Sequence, residues 1–254
     1  MAMASAKLDS MTSALDFDAA EELLLAAEFE ELQPVWHSSN RVYLAQMSGP
    51  GDSRFAAVYK PRKGERPLWD FPEGTLHRRE VAAYRLSLML GWPSIPPTVL
   101  RDGPGGEGSI QLFIDHDPAQ HFFELREVAG LVPQLQQIVL FDYVANNADR
   151  KGGHCLLGVD GRIWAIDHGL CFHNQYKLRS VIWDWAGDPA PEGWLSDVAR
   201  VGEALAAGSG GRGPLTGLLE DVETEAIVAR IGEILESKRF PQPGPHRSYP
   251  WPLV

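Results

Sequence analysis

Apolar and polar residues alternate along two segments in the first quarter of the chain. The segments are RVYLAQM at 41–47 and RFAAVYK at 54–60, and the stretch SGPGDS joins them. A two-residue period is typical of half-buried β-strands, and a stretch rich in glycine, proline and serine favours a turn. The pattern therefore predicts a β-hairpin whose second strand ends at Lys60.

Two further pairs of segments show the same alternation. PPTVLR at 96–101 and SIQLFID at 109–115 flank the turn-rich stretch DGPGGEG. CLLGV at 155–159 and RIWAID at 162–167 flank the dipeptide Asp-Gly. Each pair predicts a hairpin, because glycine and aspartate between alternating runs are the usual residues of a tight turn.

Apolar residues three and four positions apart predict the helices of the chain. One of these helices is expected to end at Gly91, because glycine commonly terminates helices. The predicted helices span about 17–32, 75–90, 124–145, 194–207 and 215–237. Hairpin, helix and hairpin, followed by a mostly helical half with a short embedded hairpin, predict an α+β protein in two lobes with a cleft between them.

One domain is predicted between two terminal segments. Residues 1–16 are small and polar, which predicts a flexible N-terminus. Residues 240–254 are proline-rich, which predicts an arm that either packs in an extended form or stays loose. The domain is expected to span 17–239, with an N-terminal lobe over about 17–115 and a C-terminal lobe over about 116–239.

The net charge and the length of the apolar runs argue against a nucleic-acid-binding, a transmembrane or a secreted protein. A net charge of −11 argues against a nucleic-acid partner, which requires a basic face, and weakly against docking on an anionic membrane. No apolar run approaches the roughly 20 residues that a transmembrane helix needs, and no secretory signal is evident, so a cytoplasmic protein is expected. Cys155 and Cys171 lack any zinc spacing and are expected to be reduced core residues.

The first candidate functional residues are Lys60 and Glu80. Lys60 closes an apolar strand, where its ammonium can meet a phosphate or a carboxylate at the mouth of a cleft. Glu80 lies twenty residues later, in the middle of the next predicted helix. A lysine on a strand paired with a glutamate on the following helix is the arrangement that orients the ATP-binding lysine in kinases. A solvated lysine and a surface glutamate are the alternatives.

A second group of polar residues follows the predicted helix 124–145. Asn147, Asp149, Arg150 and His154 lie in one loop, where a carboxylate suits a base that faces a substrate hydroxyl. Asp167 then ends a strand immediately before His168-Gly169, a position suited to holding Mg²⁺. A turn-capping role is the alternative for either aspartate.

Two other patterns are weaker. GPGGEGS at 103–109 resembles a phosphate-binding loop, but it lacks the trailing Gly-Lys-Ser/Thr and joins two strands, so it predicts a hairpin turn. His154, His168 and His173, together with the two aspartates, could form the site of a transition-metal hydrolase. No HxH or HExxH pair occurs, and such a site would leave the lysine strand unexplained.

Four motifs, in order, resemble those of type II phosphatidylinositol 4-kinases. They are VYKP ending at 61, GSIQLFI at 108–114, NADRKGGH at 147–154 and AIDHGLCF at 165–172. HipA-type bacterial kinases and the wider phosphatidylinositol 3/4-kinase superfamily share a looser version, and an actinobacterial family with distant similarity to these kinases is also similar. The resemblance spans residues 36 to about 185 and implies a two-lobed, protein-kinase-like fold of the phosphatidylinositol-kinase type.

The resemblance implies a role for each matching residue. Lys60 would hold the α- and β-phosphates of ATP and Glu80 would orient it, Asp149 would be the catalytic base within the Asp149-Arg150 pair, and Asp167 would be the main ligand of Mg²⁺ or Mn²⁺. The family has asparagine, a second metal ligand, where this chain has His154, and imidazole favours Mn²⁺ or later metals over Mg²⁺. The residues expected at the nucleotide are Ser38, Ser39, Asn40, Lys60, Gln111, Phe113 and Ile114.

These roles imply a kinase that transfers a phosphoryl group from ATP to a hydroxyl of a protein or a small soluble molecule. A lipid acceptor is less favoured, because the chain lacks the cysteine-rich insert of type II lipid kinases and any basic amphipathic helix. A nucleotide-binding pseudokinase or scaffold is the alternative, and His154 is its best support. Transfer of AMP instead of phosphate is a third reading.

Overall fold

A five-stranded antiparallel β-sheet forms from the first half of the chain in the computed structural model, which describes residues 16–36, 39–92, 95–208, 213–245 and 247–254. The strand order is β1-β2-β3-β5-β4, so that β3 lies at the centre. The strands are β1 (Glu28–Pro34), β2 (Tyr43–Gly49), β3 (Ser53–Pro61), β4 (Thr98–Gly103) and β5 (Gly106–Leu112).

Six α-helices and one small hairpin are the other main elements of the described chain. The hairpin pairs β6 (Cys155–Leu157) with β7 (Ile163–Ala165). The helices are α1 (Phe17–Ala26), α2 (Leu76–Leu90), α3 (Phe122–Leu125), α4 (Val132–Ala145), α5 (Glu192–Ala207) and α6 (Asp221–Ser237). The chain thus combines a sheet with helices, as the α+β prediction requires, and all three predicted hairpins are confirmed.

The first predicted helix is only partly correct. Asp16 caps its N-terminus, since Oδ1 accepts the N–H groups of Asp18 and Ala19 at 3.1 and 3.2 Å. The helix ends at Ala26 instead of residue 32, and β1 begins at Glu28. The charged residues of β1 suit a helix by propensity, but pairing with β2 along its whole length overrides that preference. Residues 1–15 of the predicted flexible N-terminus lie outside the described residues.

Two other predicted helices have different bounds. The region 124–145 is interrupted, because α3 is short and α4 begins only at Val132, with Pro133 in its first turn. The last helix begins at Asp221 instead of residue 215. The prediction for α2 is confirmed, and Gly91 terminates it in the left-handed region with φ of 80°.

The two largest hydrophobic clusters stabilise the two parts of the structure. The smaller of these two packs α1 against one face of the sheet, with Leu24, Met47 and Tyr59 among its buried members. The larger joins α2, α4, α5, α6 and the small hairpin. Helix α2 lies between β3 and β4 in sequence, packs against β4 and β5, and also contributes buried residues to the larger cluster, so it contacts both the sheet and the helical part.

The proline-rich segment after α6 packs against the helical part, the first of the two predicted alternatives. Ser180 donates its backbone N–H to the carbonyl of Ser248 at 2.9 Å, and Gly152 donates to the carbonyl of Leu253 at 2.8 Å. The Trp183 and Tyr249 rings also meet edge to face. This segment therefore contacts the same loop that carries Asp149.

None of the helices in the described ranges combines the length and the apolar character that a membrane crossing requires. The thiols of Cys155 and Cys171 are free and fully buried, as predicted. Burial raises the pKa of Cys155 to about 12, so neither the exposure nor the ionisation of this thiol suits a nucleophile.

Candidate active site

Lys60 connects three separate segments of the chain. It lies at the end of β3, and its Nζ donates to Glu80 Oε1 on α2 at 2.5 Å. The same ammonium donates to Asp167 Oδ1, two residues after β7, at 3.0 Å. The sheet, α2 and the segment after the small hairpin therefore meet at a single cation, and the two predicted groups of polar residues form one site.

The Lys60 ammonium is hydrogen-bonded to two carboxylates, and the pKa values of all three groups are shifted. Burial disfavours the charge on Lys60, but Asp167 and Glu80 outweigh burial and hold the pKa of this ammonium above its ordinary value. The Lys60 charge is the main reason that the pKa of Asp167 lies well below its usual range. Glu80 is nearly fully buried, and burial raises its pKa despite the adjacent ammonium. Asp167 is therefore the firmly ionised carboxylate of the pair.

The backbone at Asp167 has a conformation that is uncommon for a residue with a side chain. Its φ is +61°, in the left-handed region. The next N–H, that of His168, donates to Glu80 Oε2 at 3.0 Å, and a side chain at Gly169 would approach Glu80 Oε1 to 3.3 Å. The turn therefore closes tightly on Glu80, while the side chain of Asp167 stays half exposed, at 50%.

Arg150 holds the surrounding loops in place. Its side chain is fully buried and donates to both carboxylate oxygens of Asp142 at 2.7 and 2.9 Å. It also donates to the carbonyls of His154 and Ile166 at 3.2 and 2.9 Å, and its Nη2 lies 2.8 Å from His168 Nε2. One guanidinium thus fixes the residues on both sides of the small hairpin. All these contacts lie within the chain, so the Arg150 side chain has no exposed donor.

Asp149 lies on the same loop and is more accessible. Asn147 Oδ1 accepts the N–H of Asp149 at 3.0 Å, and Lys151 Nζ lies 3.2 Å from Asp149 Oδ2. About a quarter of the Asp149 side chain is exposed. Burial raises the pKa of Asp149 and outweighs the opposing effect of Lys151. A carboxylate with a raised pKa and partial exposure can take a proton from a hydroxyl.

His154 faces Asp167 from the end of this loop. Its Nε2 lies 3.4 Å from Asp167 Oδ2, and its Nδ1 accepts the N–H of Lys151 at 3.4 Å. Burial lowers the pKa of His154 to about 4, so the imidazole is neutral near pH 7. A neutral ring that accepts at Nδ1 carries its proton on Nε2. Coordination through Nε2 would therefore require the other tautomer and the loss of the contact with Lys151.

The predicted phosphate-covering residues belong to the turn between β1 and β2. Ser38 lies outside the described residues, and Ser39 is exposed. Asn40 Oδ1 accepts the N–H of Arg66 at 2.8 Å, and Arg41 donates its N–H to the carbonyl of Gly64 at 2.9 Å. The turn is thus bound to the segment that directly follows Lys60 and β3.

The predicted adenine-binding segment lies at the end of β5. Gln111 is buried between β3 and β4, and its Nε2 donates to Thr98 Oγ1 at 2.9 Å. Its side chain therefore links β5 to β4 and is not free to contact a ligand. Phe113 donates its N–H to the carbonyl of Ala56 at 3.1 Å, and the carbonyl of Ile114 accepts from His116 Nδ1 at 2.8 Å. The ring of Phe113 is exposed at 37% and is the accessible group of this segment.

Three charged residues that shape the site were not among the predictions. Asp142 binds Arg150, and its only sequence signal is that it stands alone in the apolar run IVLFDYVA. Arg79 and Glu223 form a buried ion pair between α2 and α6, and Arg79 also donates to the carbonyl of Cys171 at 2.7 Å. A buried charge needs a partner, but the sequence does not show which one.

The glycine-rich stretch and the histidine group noted in the sequence can be placed in the structure. Residues 103–109 form the end of β4, a turn and the start of β5, as predicted. His173 lies against the ring of Phe71 at 5.2 Å. Across the described ranges, no three histidine, cysteine, aspartate or glutamate side chains are grouped in a way that could hold a metal ion.

No family model matches the chain. Protein Rv2133c of Mycobacterium tuberculosis is 37% identical to it over 272 residues, which covers 92% of this chain and 95% of that protein. The chain belongs to the Rv2133c family. Both sequences align along nearly their whole length, so the site described above lies within the part shared by the two.

Members of another group match the Rv2133c-family chain over a smaller part. The phosphatidylinositol 4-kinase gamma 4 of Oryza sativa is 31% identical over 139 residues, 46% of this chain and 24% of that protein. The gamma 4 enzyme of Arabidopsis thaliana is 27% identical over 180 residues, 54% of this chain and 31% of that protein. The proinflammatory kinase CtkA of Helicobacter pylori aligns in structure over 84% of this chain, with 12% identity and a TM-score of 0.46.

Proposed function

We propose that this protein is an ATP-dependent kinase that transfers a phosphoryl group to a hydroxyl. The observation that carries the proposal is the contact of Lys60 with both Glu80 and Asp167. A strand lysine, a helix glutamate and a metal-binding aspartate must all be in place for phosphoryl transfer in kinases. The distant similarity in sequence to plant phosphatidylinositol 4-kinases supports the same reaction class.

In this proposal the fold has the two lobes of a kinase of the phosphatidylinositol-kinase type. The N-terminal lobe, about 17–115, contains the sheet, and the C-terminal lobe, about 116–239, contains the helical part. The nucleotide lies between them, against the β1–β2 turn, Lys60 and the segment around Phe113. The residues 240–254 form a tail that packs on the C-terminal lobe.

The chemistry of the donor groups fits a divalent cation that arrives with the nucleotide. Asp167 offers an ionised, half-exposed carboxylate, and His154 is the only other predicted ligand beside it. Mg²⁺ and Mn²⁺ in such sites are commonly held by one or two side chains together with phosphate oxygens. When bound, the cation would neutralise phosphate charge, and Asp167 would hold it.

Four residues of the chain have separate roles in the proposed transfer. Asp149 takes the proton of the acceptor hydroxyl as the new oxygen–phosphorus bond forms and the bond to ADP breaks. Lys60 neutralises phosphate charge, and Glu80 keeps its ammonium in place. Arg150 positions the loops that carry Asp149 and Asp167. ATP supplies the phosphoryl group, and the acceptor is a protein or a small soluble molecule.

A nucleotide-binding protein with little turnover is the second candidate, and the geometry of His154 favours it. The ring contacts Lys151 and Asp167 within the chain instead of presenting a free nitrogen. Coordination of a metal through either ring nitrogen would therefore break one of these contacts. Binding without turnover would identify this alternative.

Thermal melting with ATP and either Mg²⁺ or Mn²⁺ tests binding. A ligand that binds only the native state raises stability by about 2.7 kcal/mol at one hundred times its Kd. The shift should be lost in Lys60→Ala and kept in Arg54→Ala, which removes a cation from the same strand at an exposed site. The absence of any shift with millimolar nucleotide would refute the proposal.

The mass of the modified acceptor tests the reaction. Phosphate adds about 80 Da and AMP about 329 Da, so mass spectrometry of the products separates the kinase from an enzyme that transfers AMP. ATP consumption with each metal separates the kinase from the pseudokinase. Binding without consumption in both metals would replace the kinase by the second candidate.

A further inference from the structure

A group of unpaired cations lies beside the site, and we propose that it docks an acidic segment of a protein acceptor. This inference rests on the proposed kinase function and identifies its acceptor class. The group, called the basic patch below, consists of the exposed side chains of Arg41, Arg62, Lys63 and Arg66. Trp69 adjoins it.

The charge of the basic patch is unusual for this chain. The protein carries a net charge of −11, yet none of these four cations forms an ion pair with a carboxylate among the described residues. Neighbouring carboxylates are turned elsewhere: Glu65 binds the ring and N–H of His77 at 2.6 and 2.8 Å, and Asp70 binds Lys177 at 2.8 Å. Glu73 is the one local carboxylate that is exposed without an ion pair in the described chain.

The cations belong to two segments that the fold holds together. Arg41 donates its N–H to the carbonyl of Gly64, and Arg66 donates its N–H to the Asn40 side chain. A side chain at Gly64 would come within 2.6 Å of Arg41 Cβ, so only glycine permits this approach. The positions of these cations on the backbone are therefore fixed, which lowers the entropy lost on binding a partner.

An exposed tryptophan extends the patch. Trp69 is 93% exposed, and Leu68 beside it is 37% exposed. The ammonium of Lys177 lies 5.2 Å from the centre of the Trp69 ring and bonds to Asp70. Tryptophan and arginine are enriched where proteins bind partners, and an apolar ring next to cations suits a segment that carries both acidic and apolar residues.

The position of the patch agrees with delivery of a hydroxyl to Asp149. Arg62 follows Lys60 by two residues, at the end of β3. Further along the chain segment that carries Arg62, Lys63 and Arg66, Phe71 packs on His173 and Lys177 contacts Trp69, so this segment reaches residues 173–177, just beyond Asp167. A protein segment that lay along these residues would pass from the β1–β2 turn to the loop after the metal-binding aspartate.

A protein fits this surface better than an anionic bilayer. A flat membrane that touched the four cations would also bring Glu73 and Asp70 close to lipid phosphates, and the strongly negative chain would oppose the approach. The Lys177 ammonium lies over one face of the Trp69 ring, 5.2 Å from its centre, so insertion of the ring into an apolar layer would bring this charge toward the layer. An extended peptide can contact the cations and the free face of the ring alone.

Binding of two fluorescein-labelled synthetic peptides measures docking without requiring turnover. Both carry a central serine, one flanked by glutamates and leucine, the other by lysines and leucine. We expect the acidic peptide to bind, more weakly at about 0.15 M salt than at low salt. In Lys63→Glu/Arg66→Glu its Kd should rise about tenfold or more. Arg54→Glu/Lys238→Glu makes the same change in net charge elsewhere and should leave Kd within about twofold.

Several outcomes would overturn the proposal. Equal binding of the two peptides, or equal losses in the two double variants, would leave only a general charge effect. Sedimentation with phosphatidylserine vesicles that depends on Lys63 and Arg66, without peptide binding, would make the patch a membrane surface. Trp69→Ala gives an independent check in case a double variant does not fold, because this ring is exposed and its loss should also weaken the acidic peptide.

Separate measurements test the proposed function and the docking surface, so one can be refuted without the other. Thermal melting with ATP is measured on the same variants, none of which changes a residue of the proposed active site. If peptide binding depends on the patch but ATP gives no thermal shift, the proposed kinase function is refuted and the docking surface is supported. An ATP shift without peptide binding would remove the docking surface and keep the nucleotide site.

Discussion

Replacing Asp142 with asparagine should be one of the most destabilising single changes in this chain. The carboxylate binds the fully buried guanidinium of Arg150 through two hydrogen bonds of 2.7 and 2.9 Å. Asparagine keeps the shape but removes the charge, so Arg150 stays buried without a counter-ion. Breaking a buried ion pair in this way costs about 3–5 kcal/mol, against a total stability of about 5–15 kcal/mol for a typical domain.

The change should also disturb the candidate site. Arg150 holds the carbonyls of His154 and Ile166, which flank the small hairpin, so a displaced guanidinium releases both loops. Urea unfolding followed by circular dichroism measures the free energy of unfolding, and thermal melting with ATP measures the site. We expect a lower midpoint, an unchanged slope and a smaller ATP shift.

Glu127→Gln is the matched control for this change. Glu127 pairs with Arg126 at 3.2 Å, but its side chain is 74% exposed, so the loss should stay below about 1 kcal/mol. If Asp142→Asn costs no more than this control, the carboxylate does not compensate a buried charge. The inference that Arg150 organises the loops would then be wrong.

Four further outcomes are expected. Asp149→Asn should lower turnover by about 10²–10⁴ with nucleotide affinity nearly unchanged, whereas Asp167→Asn should weaken metal-nucleotide binding in a titration; wild-type turnover in both would contradict their roles. Because burial raises the pKa of Asp149 and the base must be ionised, kcat should fall on acidification at a pH above the ordinary 3.8, which a pH profile checks. His154→Asn should shift the activity ratio from Mn²⁺ toward Mg²⁺ if the ring is a ligand; an unchanged ratio removes it from the metal site. Gly91→Ala should cost about 1 kcal/mol in unfolding, since φ there is 80°; no loss would show that the turn adapts.

Local patterns predicted the elements that carry the site. Lys60 at a strand end, Glu80 within a helix and Asp167 after a short hairpin follow from alternation, helical periodicity and turn residues. Their meeting at one ammonium depends on how α2 packs between the sheet and the helices, which no local pattern records. The resemblance to known kinases supplied that expectation, and the structure brings the three residues together.

Contacts between separate elements account for what the sequence did not reveal. The segment EFEELQP forms β1 because β2 lies beside it, although its charged residues suit a helix. Asp142 is a single charge in an apolar helix, and only its ion pair with Arg150 explains its presence there. In each case the deciding partner lies in a different element, and the propensity of the segment itself does not identify it.

The hydrogen bond between Gly152 and Leu253 sets an order of events during synthesis. The loop that carries Asp149 leaves the ribosome about a hundred residues before the carbonyl that binds it. At the usual rates of translation this is a delay of about 5–20 s. The sheet, α2 and Lys60 are all available during that interval. A nascent chain can therefore contain the lysine and both aspartates of the site while the loop still lacks this bond.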